Sequence, residues 1–125
     1  AAAMTQELFD PEARFLVAFV DGLPVAYTNF RFDMDYGRRV VYCYQLQVAH
    51  DYRRKGIGEH FMRLLEVFGQ KLQLQYCVLT VFNANVGAVR FYKGRLQYKV
   101  DVTSPEDSTL GYTILSRRLS RKPSS

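Results

Sequence analysis

The chain has no tryptophan, only two cysteines and two histidines, and 12 acidic residues against 17 lysines and arginines. Cys43 and Cys77 lie inside apolar runs, and no Cys-x-x-Cys is present. Free buried thiols are therefore expected, not a disulfide framework or a zinc site. His50 and His60 stand apart from any partner at ligand spacing, so both are expected at the surface and no metal is expected. The longest unbroken apolar run is residues 15–20, far short of the roughly 20 residues that a membrane span needs. The first residues show no basic stretch followed by an apolar one, and no signal peptide is expected. The nucleophile-elbow pattern Gly-x-Ser-x-Gly is missing, which argues against an α/β-hydrolase. The shortage of acids leaves a net charge of +5 and a pI near 9.4. That balance suits a nucleic acid, an acidic cofactor or a membrane surface without choosing among them.

What is present suits one globular domain. The 125 residues are 48% hydrophobic and 23% charged, with nine Tyr and nine Phe, enough to bury a core without staples. Residues 14–20 read as a strand closed by the Asp21-Gly22 turn, and residues 25–32 as a second ending at Asp33. Asp35-Tyr36-Gly37 is a hairpin turn candidate. Residues 40–48 form a third strand, with Tyr42, Tyr44, Leu46 and Val48 expected on one face and Val41, Cys43, Gln45 and Gln47 on the other.

The period then changes. Ile57, Phe61, Leu64, Leu65, Phe68 and Leu72 make a helical stripe. Residues 76–82 are a Val-rich strand, and Asn85 can cap a second helix carrying Ala88, Val89, Phe91, Tyr92 and Leu96. Residues 98–102 form a strand, residues 104–111 a polar loop and residues 112–115 the last strand. The predicted order is β-β-β-α-β-α-β-β within a single domain of residues 1–125. Residues 1–13 read as an N-terminal remnant and residues 117–125 as a basic tail.

The segment that carries chemistry is Asp51-Tyr52-Arg53-Arg54-Lys55-Gly56-Ile57-Gly58, between the third strand and the first helix. Glycine permits a tight turn and close backbone approach. The first helical turn offers unpaired N–H donors at the positive end of the dipole. Basic side chains sit at its rim, and together these features make a pyrophosphate cradle. No Gly-Lys-Ser/Thr follows, so this is not a P-loop. The glycine spacing and the antiparallel strands before it do not fit a dinucleotide fold.

Arg53-x-x-Gly56-x-Gly58 resembles motif A of the GNAT superfamily of acetyl-CoA-dependent N-acetyltransferases. Asn85, Ala88 and Phe91-Tyr92 resemble the segment that follows it in that superfamily. Within it, Asn29-Phe30-Arg31-Phe32-Asp33, Tyr42-Cys43-Tyr44, Arg53-Arg54-Lys55-Gly56, Leu79-Thr80-Val81-Phe82 and Ile114-Leu115-Ser116-Arg117-Arg118 resemble the NatD-type N-alpha-acetyltransferases. Those enzymes acetylate histone amino termini beginning Ser-Gly-Arg-Gly.

The resemblance implies a mixed, mostly antiparallel sheet splayed at the CoA site, with helices packed on both sides. It implies acetyl-CoA as cofactor, held by the backbone of Leu46, Gln47 and Val48, by Arg53, Arg54, Lys55, Gly56, Ile57 and Gly58, and by Asn85 and Tyr92. Tyr92 stands where many members keep a tyrosine that protonates the departing thiolate, and Gln45 and Tyr44 fall at catalytic positions. Asp33, Tyr44 and Tyr112 match the peptide pocket. The implied reaction is direct attack of a neutral amine on the thioester, with a backbone N–H near Gln47 or Val48 stabilising the oxyanion. The implied partner is a histone N-terminal peptide, with a contact of the basic tail to ribosome or nucleosome. A monomer in cytoplasm and nucleus, off the membrane, is expected.

Two departures from the NatD pattern stand out. Gln45 occupies the position of a Glu, and glutamine cannot act as a base. The N-terminal segment that walls the peptide site in that type is also expected to be missing or shortened here. A magnitude bears on Gln45: an α-amine with a pKa of about 7.7–8.0 is roughly 10–15% neutral at pH 7, whereas a lysine amine is neutral only to about 0.04%. Loss of a base therefore hurts lysine acetylation far more. The readings to be separated are an N-alpha-acetyltransferase, an impaired CoA-binding module, an acetyltransferase for another amine and a nucleic-acid binder. The last lacks any basic-aromatic stripe.

Overall fold

The computed structural model describes residues 13–119. Their elements are β1 (Arg14–Val20), β2 (Leu23–Asp35), β3 (Arg38–Val48), α1 (Ile57–Lys71), β4 (Tyr76–Phe82), α2 (Val86–Arg90), β5 (Lys99–Val100) and β6 (Tyr112–Arg118). The order of strands and helices is the one expected. One six-stranded sheet runs β1-β2-β3-β4-β6-β5. Only the β3–β4 contact is parallel. Two-residue hairpins join β1 to β2 and β2 to β3, with both central residues left-handed at Asp21-Gly22 and Tyr36-Gly37. This is the turn whose twist matches that of the flanking strands.

The core lies on one face of the sheet. Phe30, Val41, Cys43, Leu79 and Leu115 from the strands pack with Met62 and Leu65 of α1 and with Tyr92, Leu96 and Tyr98. The α1 stripe approaches closely at Gly69, where a Cβ would collide with Leu119 and come within 3.3 Å of Val41. Both described helices thus cover the same face. A helix on the opposite face, expected from the resemblance, is not among the described residues. None of the described helices is long and apolar enough to cross a membrane.

Three expectations are corrected. First, β2 and β3 slip register between Asn29 and Phe30: Phe30 faces Cys43 while Asn29 faces Gln45, so Tyr44 has no partner. This one-residue bulge reverses the alternation beyond it. Leu46 and Val48 join Val41 and Cys43 on the helix-covered face, and Gln45 and Gln47 join Tyr42 on the other. Second, the segment after Asn85 is one short α-helix followed by a π-turn, Phe91–Arg95. There Leu96 N–H donates to the Phe91 carbonyl at 3.0 Å, and the extra residue per turn leaves Tyr92 and Leu96 buried. Third, β6 runs to Arg118, so Arg117 and Arg118 belong to the sheet and not to a tail. Arg117 donates to the buried Glu66 at 2.8 Å, and Arg118 lies over the Tyr76 ring. The proposed remnant up to residue 12 and the tail from residue 120 lie outside the described residues.

Candidate active site

The site forms where β3 and β4 part. Their parallel pairing covers only Val40–Tyr76 to Cys43–Leu79. β3 then continues to Val48 and β4 to Phe82 without pairing to each other. The edge of β3 facing this opening carries backbone groups with no strand opposite. At the apex, Tyr42 Oη and Thr80 Oγ1 are 2.7 Å apart and bridge the two strands. Burial raises the Tyr42 phenol above its ordinary range, partly countered by the Thr80 hydrogen bond.

At the helix-covered side of the opening stands the first turn of α1. Gly56 caps it at φ 86°, with no side-chain hydrogen bond to the N-terminal amides. A Cβ there would meet nothing within 4 Å, so the left-handed backbone and not crowding calls for glycine. The preceding Arg54 is also left-handed at φ 61°, which tightens the turn. Arg53, Arg54 and Lys55 are exposed. Arg53 Nε donates to the Val48 carbonyl at 3.0 Å, tying the loop to the end of β3. The Lys55 ammonium lies 5.7 Å from the Tyr52 ring centroid. A Cβ on Gly58 would rest at ordinary contact on Phe91 and Leu46, so this turn sits against both β3 and the π-turn. The Asn85 side chain accepts from Ala88 N–H at 3.1 Å, which makes it first of all the cap of α2. The uncapped amides, the basic rim and the open strand edge fit an elongated anionic ligand ending in a pyrophosphate.

The opposite, helix-free face carries the other candidates. Arg31 lies 4.8 Å above the Tyr44 ring, and Tyr42 and Tyr44 rings are 4.9 Å apart. Tyr27 Oη donates to Gln45 Oε1 at 3.4 Å. Asp33 is exposed two residues beyond Arg31, and its carboxylate accepts from Met34 N–H at 2.7 Å. Tyr112 is half-buried opposite Phe82 at the start of β6. The structure therefore brings Tyr44 and Gln45 together at the apex. Tyr112 lies on the same face beside the end of β4 at Phe82, and Asp33 lies on that face level with Val40, at the far end of the β3–β4 paired stretch. Sequence reasoning missed Tyr27, Asn29, Arg31, Tyr42 and Thr80 as members of this surface. Asn29 and Arg31 fall in a block it had singled out, and their period of two from Asp33 was the available signal.

Tyr92 stands apart from these. It is buried in the core, with its ring 5.1 Å from Phe91 and 6.2 Å from Tyr98. Burial, reinforced by Cys43 and Cys77, holds its hydroxyl above the ordinary phenol range. It can donate a hydrogen bond, and the upward shift makes it a weaker acid toward a thiolate than a free phenol. Cys43 and Cys77 are free and buried, as expected. Burial pushes the Cys43 thiol up to about 11, so neither the thiolate nor its nucleophilic chemistry is available near neutrality.

A splayed parallel pair beside an uncapped, glycine-led helix in a mostly antiparallel sheet defines the class of acetyltransferases built on the GNAT fold. The model of the acetyltransferase (GNAT) family matches residues 1–96, and the chain belongs to that family. Solved structures share the fold. The PaiA N-acetyltransferase of Thermoplasma acidophilum in complex with coenzyme A is 19% identical, over 94% of this chain and 67% of that one, with a TM-score of 0.73. The ribosomal-protein-S18-alanine N-acetyltransferase of Escherichia coli is 17% identical, over 98% of this chain and 78% of that one, at 0.73. Naa50 of Arabidopsis thaliana in complex with the bisubstrate analogue CoA-Ac-MVNAL is 20% identical, over 82% and 71%, at 0.68.

Proposed function

We propose that the chain transfers the acetyl group of acetyl-CoA to the α-amino group of a protein N-terminus, with histone tails beginning Ser-Gly-Arg-Gly as the acceptor to test first. One observation carries this reading: the opening between β3 and β4 is reached from both sheet faces. The uncapped α1 turn and its basic rim lie on one side, and the half-buried Arg31 with the exposed Asp33, Tyr44 and Gln45 on the other. Acetyl-CoA supplies the acetyl group as a reactive thioester. The amides of residues 56–58 and the Arg53–Lys55 rim hold its pyrophosphate, and the free edge of residues 46–48 lies along its arm. A backbone N–H near Gln47 or Val48 receives the oxyanion.

On the acceptor side the site has no carboxylate at position 45, so the amine must arrive neutral. An α-amine does so in useful amounts near pH 7 and a lysine amine does not. Asp33 is the exposed acid best placed for a cationic acceptor. Asp35 and Asp101 are engaged elsewhere, since both hold Arg38. Tyr44 supplies a phenol at the apex and Tyr112 an aromatic wall. Tyr92 contributes a hydrogen-bond donor from the core side.

The same glutamine favours a second reading, in which the chain binds CoA and transfers little. Mass analysis after mixing the protein, acetyl-CoA, a Ser-Gly-Arg-Gly peptide and its amino-blocked copy separates the two. Acetylation of the free peptide alone supports transfer to an α-amine. No transfer, with CoA retained on the protein, supports the binding module. A faster rate on an internal lysine than on a free amino terminus sinks the N-terminal reading.

A further inference from the structure

Thr28 is fully buried in β2, and its hydroxyl donates to the Gln45 carbonyl of β3 at 2.8 Å. The Cys43 thiol, a weaker donor, stands 3.5 Å from the same carbonyl. Gln45 directly follows Tyr44, the residue that the bulge leaves without a partner. A bulge disrupts the ladder locally, so pairing alone sets the peptide planes there loosely. Here a side chain sets one of them. The peptide joining Gln45 to Leu46 is trans, and in a planar trans peptide the C=O and N–H point opposite ways. A Gln45 carbonyl held from β2 therefore turns the Leu46 N–H away from β2, towards the opening. The far end of the strand agrees, because Ala49 N–H donates to the Val25 carbonyl of β2 at 2.8 Å. Amides alternate sides along a strand, so Gln47 N–H also points to β2, and those of Leu46 and Val48 face the opening. Pairing to β4 has ended at Cys43. The Leu46 side chain lies by the first turn of α1, 3.6 Å from where a Cβ on Gly58 would stand.

We infer that Thr28 is a positioning residue for acetyl transfer: by holding the Gln45 carbonyl it aims the Leu46 N–H at the place where the acetyl oxygen gains charge. This rests on the acetyltransferase reading above and narrows its oxyanion donor to the one peptide that Thr28 holds. Of the two amides that face the opening, Leu46 is the nearer to the apex. Val48 lies towards the α1 turn, where its carbonyl accepts from Arg53 Nε at 3.0 Å. Thr28 touches neither cofactor nor acceptor. It sits opposite Leu46 in the β2–β3 register, on the side of the sheet that the helices cover, and acts through that peptide plane alone. A fixed donor needs no reorientation as charge develops, and a donor free to tilt loses part of that advantage.

The test compares wild type, Thr28→Val, which keeps the shape and drops the hydroxyl, and Thr28→Ser, which keeps the hydroxyl and drops a buried methyl group. With a Ser-Gly-Arg-Gly peptide, Thr28→Val lowers kcat about tenfold, short of the hundredfold or more that follows outright loss of an oxyanion donor. KM for peptide and for acetyl-CoA stays within about twofold, because the aimed N–H acts on charge that develops only in the transition state. Thr28→Ser melts below wild type yet recovers most of kcat. A residue that serves only the fold would let kcat follow Tm in both variants, and that result overturns the assignment. A second readout needs no transfer. In protein labelled with nitrogen-15, the Leu46 amide proton moves downfield with acetyl-CoA relative to CoA in wild type and in Thr28→Ser, and not in Thr28→Val. A Leu46 amide that responds alike to the two ligands in wild type, or unchanged kcat in Thr28→Val, also overturns it. A wild type that acetylates no peptide but shows the Leu46 difference, lost in Thr28→Val, sinks the transfer reading and leaves the role of Thr28 standing.

Discussion

Tyr42 Oη and Thr80 Oγ1 meet at 2.7 Å across the strands β3 and β4, with Tyr42 one residue before their last paired position, Cys43–Leu79, and Thr80 one residue after it. The bond closes the sheet at the apex of the opening on the helix-free face. It joins two strands that share only four paired positions. It also orients the Tyr42 ring against Tyr44, and through it the ring that Arg31 covers.

Removing either hydroxyl tests that link. Tyr42→Phe and Thr80→Val are each expected to cost about 0.5–1.5 kcal/mol of stability. The double variant is expected to cost little more than one single change, since both lose the same bond. Chemical denaturation of the four proteins reads the coupling. Additive losses would mean that the hydroxyls act independently.

Gly56 carries the turn into α1. At φ 86° an L-residue is strained whatever space surrounds it, so Gly56→Ala is expected to cost about 1–2 kcal/mol. The same strain is expected to weaken CoA binding, because relaxing it turns the first-turn amides away from the pyrophosphate. Calorimetric titration with CoA and thermal melting measure the two effects side by side. An unchanged Kd with a lowered Tm would remove the loop from the CoA site.

Much of this was legible in local pattern. The helical stripe from Ile57, the Asp21-Gly22 and Tyr36-Gly37 turns and the strand of residues 76–82 all rest on neighbours in sequence, and each stands where expected. The bulge at Tyr44 does not announce itself, because one inserted residue leaves an alternating run looking regular. Yet it decides which face Gln45 shows. The engagement of Asp35 and Asp101 was equally hidden. Their common partner Arg38 is 63 residues from Asp101, and only the completed sheet brings the two together.

Asp101 links stability to pH. Burial acts to raise its pKa, but hydrogen bonds from Arg38, Ser116 and Thr103 outweigh this and hold it well below the usual carboxylate range. A depressed folded pKa means stability that is fully present above the unfolded value of about 3.9 and lost as pH falls below it. Wild type is therefore expected to lose stability steeply from about pH 4 downward. Asp101→Asn is less stable at pH 7, and its pH dependence in that window is shallower. Urea melts between pH 2 and pH 7 check the slope, and parallel curves for the two proteins would assign the acid sensitivity elsewhere.

Gln45 faces the acceptor surface because the bulge turns it there, with its carboxamide oxygen held by Tyr27. Without a base at this position, the rate on an N-terminal peptide is expected to follow the neutral amine. It rises about tenfold per pH unit and levels off near pH 8. Gln45→Glu places a carboxylate where it can take the proton, directly or through a water. The gain is then expected to be largest where the amine is mostly protonated, about tenfold or more at pH 6, and to shrink above pH 8. Initial rates on a Ser-Gly-Arg-Gly peptide across pH 6–9 measure this. An equal gain at every pH would point to a change in binding instead of proton removal, and a loss at every pH would mean that the native glutamine itself supports the acceptor.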